Sequence, residues 1–284
     1  MLIDSHCHIF THQIVKNVSS RSALVDLLKL NVAYASHCLD PKVLETSAIR
    51  NKIDFCVLLP TAAPNKVRAE NDRHFKIASK SPQLRTLATL HPIMNGLSDE
   101  ISRVFDLGII GFKLSSFSQR FDLVSPEVES MLSRLKKSGS DRRIRPVVVF
   151  DTFTRADIHF VADHEHVTIP SKLAEVVRRH PDINFVGSHM GGLAADFQEL
   201  RRHLVSMDNL YLDTSNAAHT LTRGQFVDLL KIHGPNHILF GTDWPWFEHA
   251  GEIPVICSLL EEAGYSQSEQ EAVFGENARK LFGF

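Results

Sequence analysis

A chain of 284 residues with 43% hydrophobic and 23% charged side chains can bury a large core, and its formal net charge of -2 lacks the basic excess of a nucleic-acid binder. No apolar run approaches the roughly 18 residues of a membrane span. The four cysteines (Cys7, Cys38, Cys56, Cys257) are scattered without a CxxC pair, and the start MLIDSHCH does not read as a signal peptide, so a cytoplasmic setting is expected.

The first predicted strand is LIDSHCHI, residues 2 to 9. Alternate residues of a strand share a face, so His6 and His8 point together and Cys7 points the other way, into the packing against helices. Two imidazoles so spaced can take adjacent positions on a divalent ion, although HxH alone is also the pattern of two hydrogen-bonded core histidines. Residues 11 to 53 form a long connection, with helices expected around 21 to 33 and 41 to 51. DFCVLLP (54 to 60) is the second strand, followed by helical spacing in PNKVRAENDRHFKIASK. The third, LRTLATLHP (84 to 92), ends on His91, and the fourth, IIGFKLSS (109 to 116), carries Lys113.

Ser125-Pro126 reads as a cap and first turn for the helix SPEVESMLSRLKKSG, with Gly139 as its expected terminator. The fifth strand, RPVVVFDT (145 to 152), ends on Phe150 and Asp151; the loop beyond it, with His159, His164 and His166, reads as exposed and polar. After the helix PSKLAEVVRRHPD comes NFVGSHMG (184 to 191), where His189 precedes two glycines that would let backbone approach a site closely. NLYLDTS (209 to 215) brings Asp213, which would organise neighbouring backbone, and LTRGQFVDLLKIHG stops at Gly234. ILFGTDW (238 to 244) brings Asp243. Helical segments at 253 to 263 and 266 to 282 follow, the second with Ser266 and Glu269 in capping-box spacing.

Eight mostly apolar strands alternating with helices predict a (β/α)8 TIM barrel, a single domain over residues 1 to 284 with extra helices after strand one and at the C-terminus. No glycine-rich phosphate turn follows the first strand, as an open dinucleotide-binding sheet would require. Chemistry in such a barrel lies at the C-terminal strand ends, where His6, His8, His189 and Asp243 would meet. A buried carboxylate there must pair or bind metal, so together the four read as a metal or acid-base centre.

IDSHCH, GFKL, NFVGSHMGG, LYLDTS, ILFGTDWP and ENARKLFGF, in this order along nearly the whole chain, resemble the amidohydrolase superfamily, in particular its amidohydrolase-2 branch of metal-dependent TIM-barrel hydrolases. FGTDWP is also similar to pyrone-dicarboxylate lactonase-like members. The resemblance implies a divalent metal, zinc before manganese, held by His6 and His8 with Asp243 as ligand and proton shuttle and His189 as ligand or carbonyl-polarising group. It implies a small-molecule substrate, no nucleic-acid or membrane partner, and room for a homo-oligomer. One departure stands out: where the branch often carries a strand-five histidine, this chain has Phe150 and Asp151. Asp151 could replace the ligand, water could fill its place, or the site could work without metal.

Lys113 and Asp151 are expected to bind substrate, Lys113 as a cation for a carboxylate, and Trp244 to supply an aromatic wall together with Trp246. The reaction expected is hydrolysis of a lactone, amide or related bond at a mononuclear site; the alternatives are non-oxidative decarboxylation of an unsaturated or aromatic acid, metal-independent lactone opening, or ligand binding without turnover.

Overall fold

The computed structural model describes all 284 residues. The strands are β1 (Ile3–Cys7), β2 (Phe55–Leu58), β3 (Leu84–Thr86), β4 (Ala88–Thr89), β5 (Gly111–Leu114), β6 (Val147–Phe150), β7 (Asn184–Gly187), β8 (Leu210–Asp213) and β9 (Ile238–Leu239). They supply the staves of a (β/α)8 barrel, β3 and β4 being two pieces of one predicted strand interrupted at Leu87. All pairs are parallel, in the orders β1-β2-β3 and β4 through β9. Regular pairing therefore does not run round the whole ring. At one gap the Leu87 N–H donates to the Leu58 carbonyl (3.0 Å). At the other, between β9 and β1, Ser5 donates to Phe240 (2.9 Å), Asp243 to His6 (3.0 Å) and His8 to Trp244 (2.8 Å), all through backbone N–H groups.

Two-sided burial explains the apolar strands. Ile3, Val57, Val147, Val149, Val186 and Leu239 fill one cluster inside the ring. Val148, Phe150, Phe185, Leu210 and Leu212 pack outward with the helices. Burying each such side chain contributes roughly 1.5–3 kcal/mol, so a run such as Val147–Phe150 stabilises both layers at once. No helix is long and apolar enough to cross a membrane.

The connection after β1 holds four helices instead of two: His12–Ser19, Ser22–Leu28, Val32–Ala35 and Pro41–Arg50. The expected helix over 21 to 33 is broken because Lys29 adopts φ 55° and Asn31 opens a new turn, its side chain accepting from the Tyr34 N–H at 3.0 Å. Ser125 caps its helix as expected, but that helix continues past Gly139 to Arg142. Gly139 permits close approach instead of stopping the helix: a Cβ there would lie 2.7 Å from the Ile144 carbonyl oxygen and 2.8 Å from Pro146 Cγ. Gly234 does cap the helix Arg223–His233, and the Ser266–Glu269 capping box is present. The C-terminal helices are His249–Glu262 and Gln267–Glu271, then a π turn over Ala272–Glu276 leading into Asn277–Phe282.

The register of β1 on β2 shifts between Asp4 and Cys7. Strict alternation would put Asp4 on the face of His6, but the irregularity turns Asp4 outward. Its Oδ1 accepts the backbone N–H groups of His6 (2.9 Å) and Thr242 (3.1 Å), while Oδ2 meets His249 Nε2 at 3.0 Å. Cys7 also faces outward, packed with Leu44, Cys56, Leu58 and Trp244. Burial would depress the His249 imidazole, yet Asp4 and Cys56 raise it to about 9, and His249 and Thr242 in turn hold the buried Asp4 carboxyl below its ordinary value. A histidine raised on folding contributes stability that is complete below about pH 6.5 and lost as pH rises through the folded value. The melting-temperature advantage of the wild type over His249→Gln is therefore expected to shrink between pH 6.5 and 9.5, and a constant difference across that window would contradict the pairing.

Candidate active site

His6 and His8 leave β1 toward the C-terminal mouth of the barrel. His6 Nδ1 donates to Asp213 Oδ2 at 2.9 Å and His8 Nδ1 to the Leu59 carbonyl at 3.1 Å. Both acceptors lack hydrogens, so each ring carries its proton on Nδ1 and presents an Nε2 lone pair. The two Nε2 atoms are 3.1 Å apart, and Asp243 Oδ1 lies 3.7 Å from that of His6 and 3.6 Å from that of His8. Two lone pairs and a carboxylate oxygen facing one another repel unless a positive charge lies among them. With histidine nitrogens ~2.0–2.1 Å from a zinc ion, an N···N separation of 3.1 Å suits neighbouring ligands, so the donor set fits a divalent cation.

Asp213 organises this group. Its Oδ1 accepts the backbone N–H groups of His189 (2.9 Å) and Ser215 (3.2 Å) and the Ser215 hydroxyl. Burial would raise its carboxyl, but His6, His189 and Ser215 outweigh this and hold it well below the usual range. Burial, together with Asp151 and Asp213, pushes the Asp243 carboxyl well above its ordinary value. Burial also holds the His8 imidazole well below its ordinary value, and that of His189 at about 4, with the neighbouring His6 ring acting in the same direction.

His189 is reached through strained backbone. His189 (φ 57°), Met190 (φ 53°), Asn216 (φ 56°) and Asp243 (φ 66°) are non-glycine residues in the left-handed region at the ends of β7, β8 and β9, a concentration typical of functional sites. His189 Nδ1 donates to the Ser215 carbonyl at 2.9 Å, and its Nε2 faces Asp151 Oδ1 at 3.8 Å. The glycines after it do not let backbone approach the site. A Cβ on Gly191 would strike Leu204, and one on Gly192 would strike Leu200 at 2.7 Å, so both serve packing against the flanking helix and strand.

The structure brings His6, His8 and Asp243 into one ligand cluster, and His189 into a second that shares His6 and includes Asp213. His8, Lys113, Asp151, His189 and Asp243 line a cavity of about 960 Å³. Lys113, buried on β5, bonds Ser188 Oγ at 3.0 Å and has no carboxylate within 4 Å; burial lowers its pKa, offset in part by Asp151, Asp213 and Asp243. Asp151, accepting from Ser115 Oγ at 3.2 Å, takes the site-facing place, while Phe150 stacks outward on Phe185. Trp244 does not reach the cavity: it is buried against His249 and Tyr34, and Trp246 lines the wall in its stead. His91 is tied to the Gln119 carbonyl at 2.7 Å, and His159, His164 and His166 stay outside the cavity, His166 being largely buried instead of exposed.

Sequence reasoning missed Ser215, whose hydroxyl lies 2.8 Å from His189 Nδ1 and 3.1 Å from His6 Nδ1, and the buried Asn216, whose side-chain amide has no hydrogen-bond partner. The run of small polar residues after LYLD was a usable signal for both. The Leu59 carbonyl that orients His8 carried none.

The Amidohydrolase family model matches residues 3–284. The chain belongs to this family. Solved structures similar to this amidohydrolase share its fold at low identity. A probable 2-pyrone-4,6-dicarboxylic acid hydrolase from Acinetobacter baumannii, with citric acid bound, has TM-score 0.63 and 15% identity, covering 100% of this chain and 99% of its own. A 5-carboxyvanillate decarboxylase from Novosphingobium aromaticivorans, bound to manganese and 3-methoxy-4-hydroxy-5-nitrobenzoic acid, has TM-score 0.71 and 14% identity, covering 100% and 97%. A 2,6-dihydroxybenzoate decarboxylase from Rhizobium has TM-score 0.66 and 16% identity, covering 99% and 98%. No curated protein sequence matches. The family and these neighbours make this chain an enzyme of the amidohydrolase superfamily.

Removing a partner that orients a metal-ligating histidine typically costs 10–100-fold in metal affinity. Asp213→Asn is expected to weaken zinc binding by about that factor in a competitive chelator titration. Unchanged affinity in the folded variant would show that the His6–Asp213 contact does not orient a ligand.

Proposed function

We propose that this amidohydrolase is a single-domain metal-dependent hydrolase that opens a lactone, amide or related bond in a small carboxylate-bearing molecule in the cytoplasm. The observation that carries this reading is the convergence of two imidazole lone pairs and the Asp243 carboxylate, within 3.7 Å of one another, where His8 and Asp243 line the cavity. His6, His8 and Asp243 would hold a zinc or manganese ion, with His189 Nε2 the next available ligand. When bound, the ion lowers the pKa of water to near neutrality and polarises a carbonyl.

The remaining roles belong to the chain. Asp243 Oδ takes a proton from the attacking water and returns it to the leaving group. His189, with its proton committed to the Ser215 carbonyl, presents a lone pair to the cavity, so it holds a cation or accepts from water in preference to donating to an oxyanion. Lys113 has donor capacity beyond its bond to Ser188, which makes it the natural partner for a substrate carboxylate. Asp151, opposite His189 Nε2, is placed to orient water or complete the ligand set from the fifth stave.

One observation supports a second reaction at the same centre. Lys113 lies at the floor beside Asp151 and not out on the wall, so a carboxylate held there would sit next to the reacting groups, as non-oxidative decarboxylation requires. Aromatic acids and lactones assayed side by side, with acid release followed by pH-stat and carbon dioxide by coupled assay, separate the two. Hydrolysis should appear with about one divalent ion per chain, vanish on chelation and return on adding zinc or manganese, while Asp243→Asn lowers kcat by 10²–10⁴. Carbon dioxide without acid release would move the assignment to the decarboxylase, and turnover that survives both chelation and Asp243→Asn would overturn the metal-dependent reading.

A further inference from the structure

The cavity is polar at its floor but not along its length. Its volume of about 960 Å³ is near the top of the ~300–1,000 Å³ range of ligand sites, and it extends from His8 and Lys113 to the helices inserted after β1. Those helices have a core of their own: Val18, Leu24, Leu28 and Leu30 cluster with Phe153, Leu193 and Trp246, apart from the clusters that fill and surround the barrel. The inner side of that core is the cavity wall. Aromatic rings continue it toward the floor, Phe10 stacking on His8 (4.7 Å between centroids) and packing on Trp246 (5.5 Å).

The roof comes from the segment after β6. Phe160 stacks on Phe117 at 5.2 Å, and Arg21 of the inserted helices lies 5.1 Å over the Phe160 ring while its Nε–H donates to the His159 carbonyl at 2.9 Å. The rim is apolar and open: Ile14 is 42% and Val161 88% exposed, and Val161, β-branched, holds φ 54°, a conformation such residues rarely adopt. The opposite flank is polar and faces solvent: Glu70 pairs with Arg73 at 2.6 Å and with His74 at 3.2 Å, and Lys66 and Arg120 are exposed there, which leaves Lys113 as the buried cation of the cavity.

From these features we infer that the substrate class is an amphiphilic monocarboxylic acid, its acid end on Lys113 and an apolar tail lying in the annex between the inserted helices and the segment after β6. The inference rests on the reading of Lys113 as the carboxylate anchor, and extends it by assigning the outer cavity to a hydrophobic extension. The lone buried ammonium supplies the charge complement to one carboxylate, and the annex offers an extension of that acid surfaces on which methylenes leave water.

The test is binding, by calorimetry, of 4-alkylbenzoates from methyl to hexyl, with terephthalate as the dianion. Affinity should rise roughly three- to fourfold per methylene in the wild type. The rise should flatten in Ile14→Glu, a rim change that leaves the core intact, and in Leu24→Gln. Lys113→Met should weaken all members by one common factor and keep the slope. A flat wild-type series, an undiminished slope in Ile14→Glu and Phe160→Ala together, or terephthalate binding more tightly than 4-hexylbenzoate would overturn the annex, and Lys113→Met binding like the wild type would overturn the anchor. Because these probes carry no lactone or amide bond to hydrolyse, failure of the hydrolytic reading shows in the rate assays and leaves this binding series unchanged.

Discussion

The seam between the last strand and the first decides whether this site exists. His6 and His8 arrive on β1, Asp243 follows β9, and they meet only because the two chain segments lie side by side across a gap in the regular pairing. Three backbone hydrogen bonds cross it, with the buried Asp4 carboxylate gathering the N–H groups of His6 and Thr242 behind it. Gly241 completes the approach, since a Cβ there would lie 2.9 Å from that of His6. The shift in register between Asp4 and Cys7 is what sends the anchoring carboxylate outward and the imidazoles inward. Position on the fold and chemistry of the site are thus consequences of one local irregularity.

Concentrating charge in so dry a place is costly. Lys113, Asp213 and Asp243 are all buried at the strand ends, and an isolated ionised group there would neutralise itself. Asp213 escapes this through its hydrogen bonds to His6, His189 and Ser215, whereas Asp243 has no comparable set and is pushed toward its neutral form. Strained backbone at His189, Met190, Asn216 and Asp243 adds to the cost. Groups retained against such penalties are those whose stabilisation comes from something bound, and the polar floor of the cavity is where that partner would lie.

Much of the architecture was legible in the sequence because strand period, helix caps and the order of polar strand ends are local signals. His8, Lys113, Asp151, His189 and Asp243 line the cavity, as their places at strand termini implied, and His6 lies buried against Asp243. What was not legible depended on departures from regular geometry. Alternation alone assigns Asp4 to the wrong face because a register shift leaves no mark in the sequence. Trp244 sits beside Asp243 in sequence yet turns away to stack on His249, and the break at Lys29 that divides the inserted helices requires a positive φ at a residue with no particular preference for it. Gly139 shows the same limit in reverse: a glycine near a helix end suggested termination, but the reason for it lies in Ile144 and Pro146, close in space.

Zinc-edge X-ray absorption on the zinc-loaded protein tests most directly the proposal that a cation lies between His6, His8 and Asp243. The expected spectrum has only nitrogen and oxygen neighbours at ~2.0–2.2 Å, with the multiple-scattering signature of at least two imidazoles. It should lose one imidazole in His6→Ala. A second cluster, Cys7, Cys56 and His249, lies fully buried on the outer side of β1 and gives the contradicting result a definite form. Sulfur scattering at ~2.3 Å, or the absence of any stoichiometric zinc, would show that the inward face of the first strand is not a metal centre.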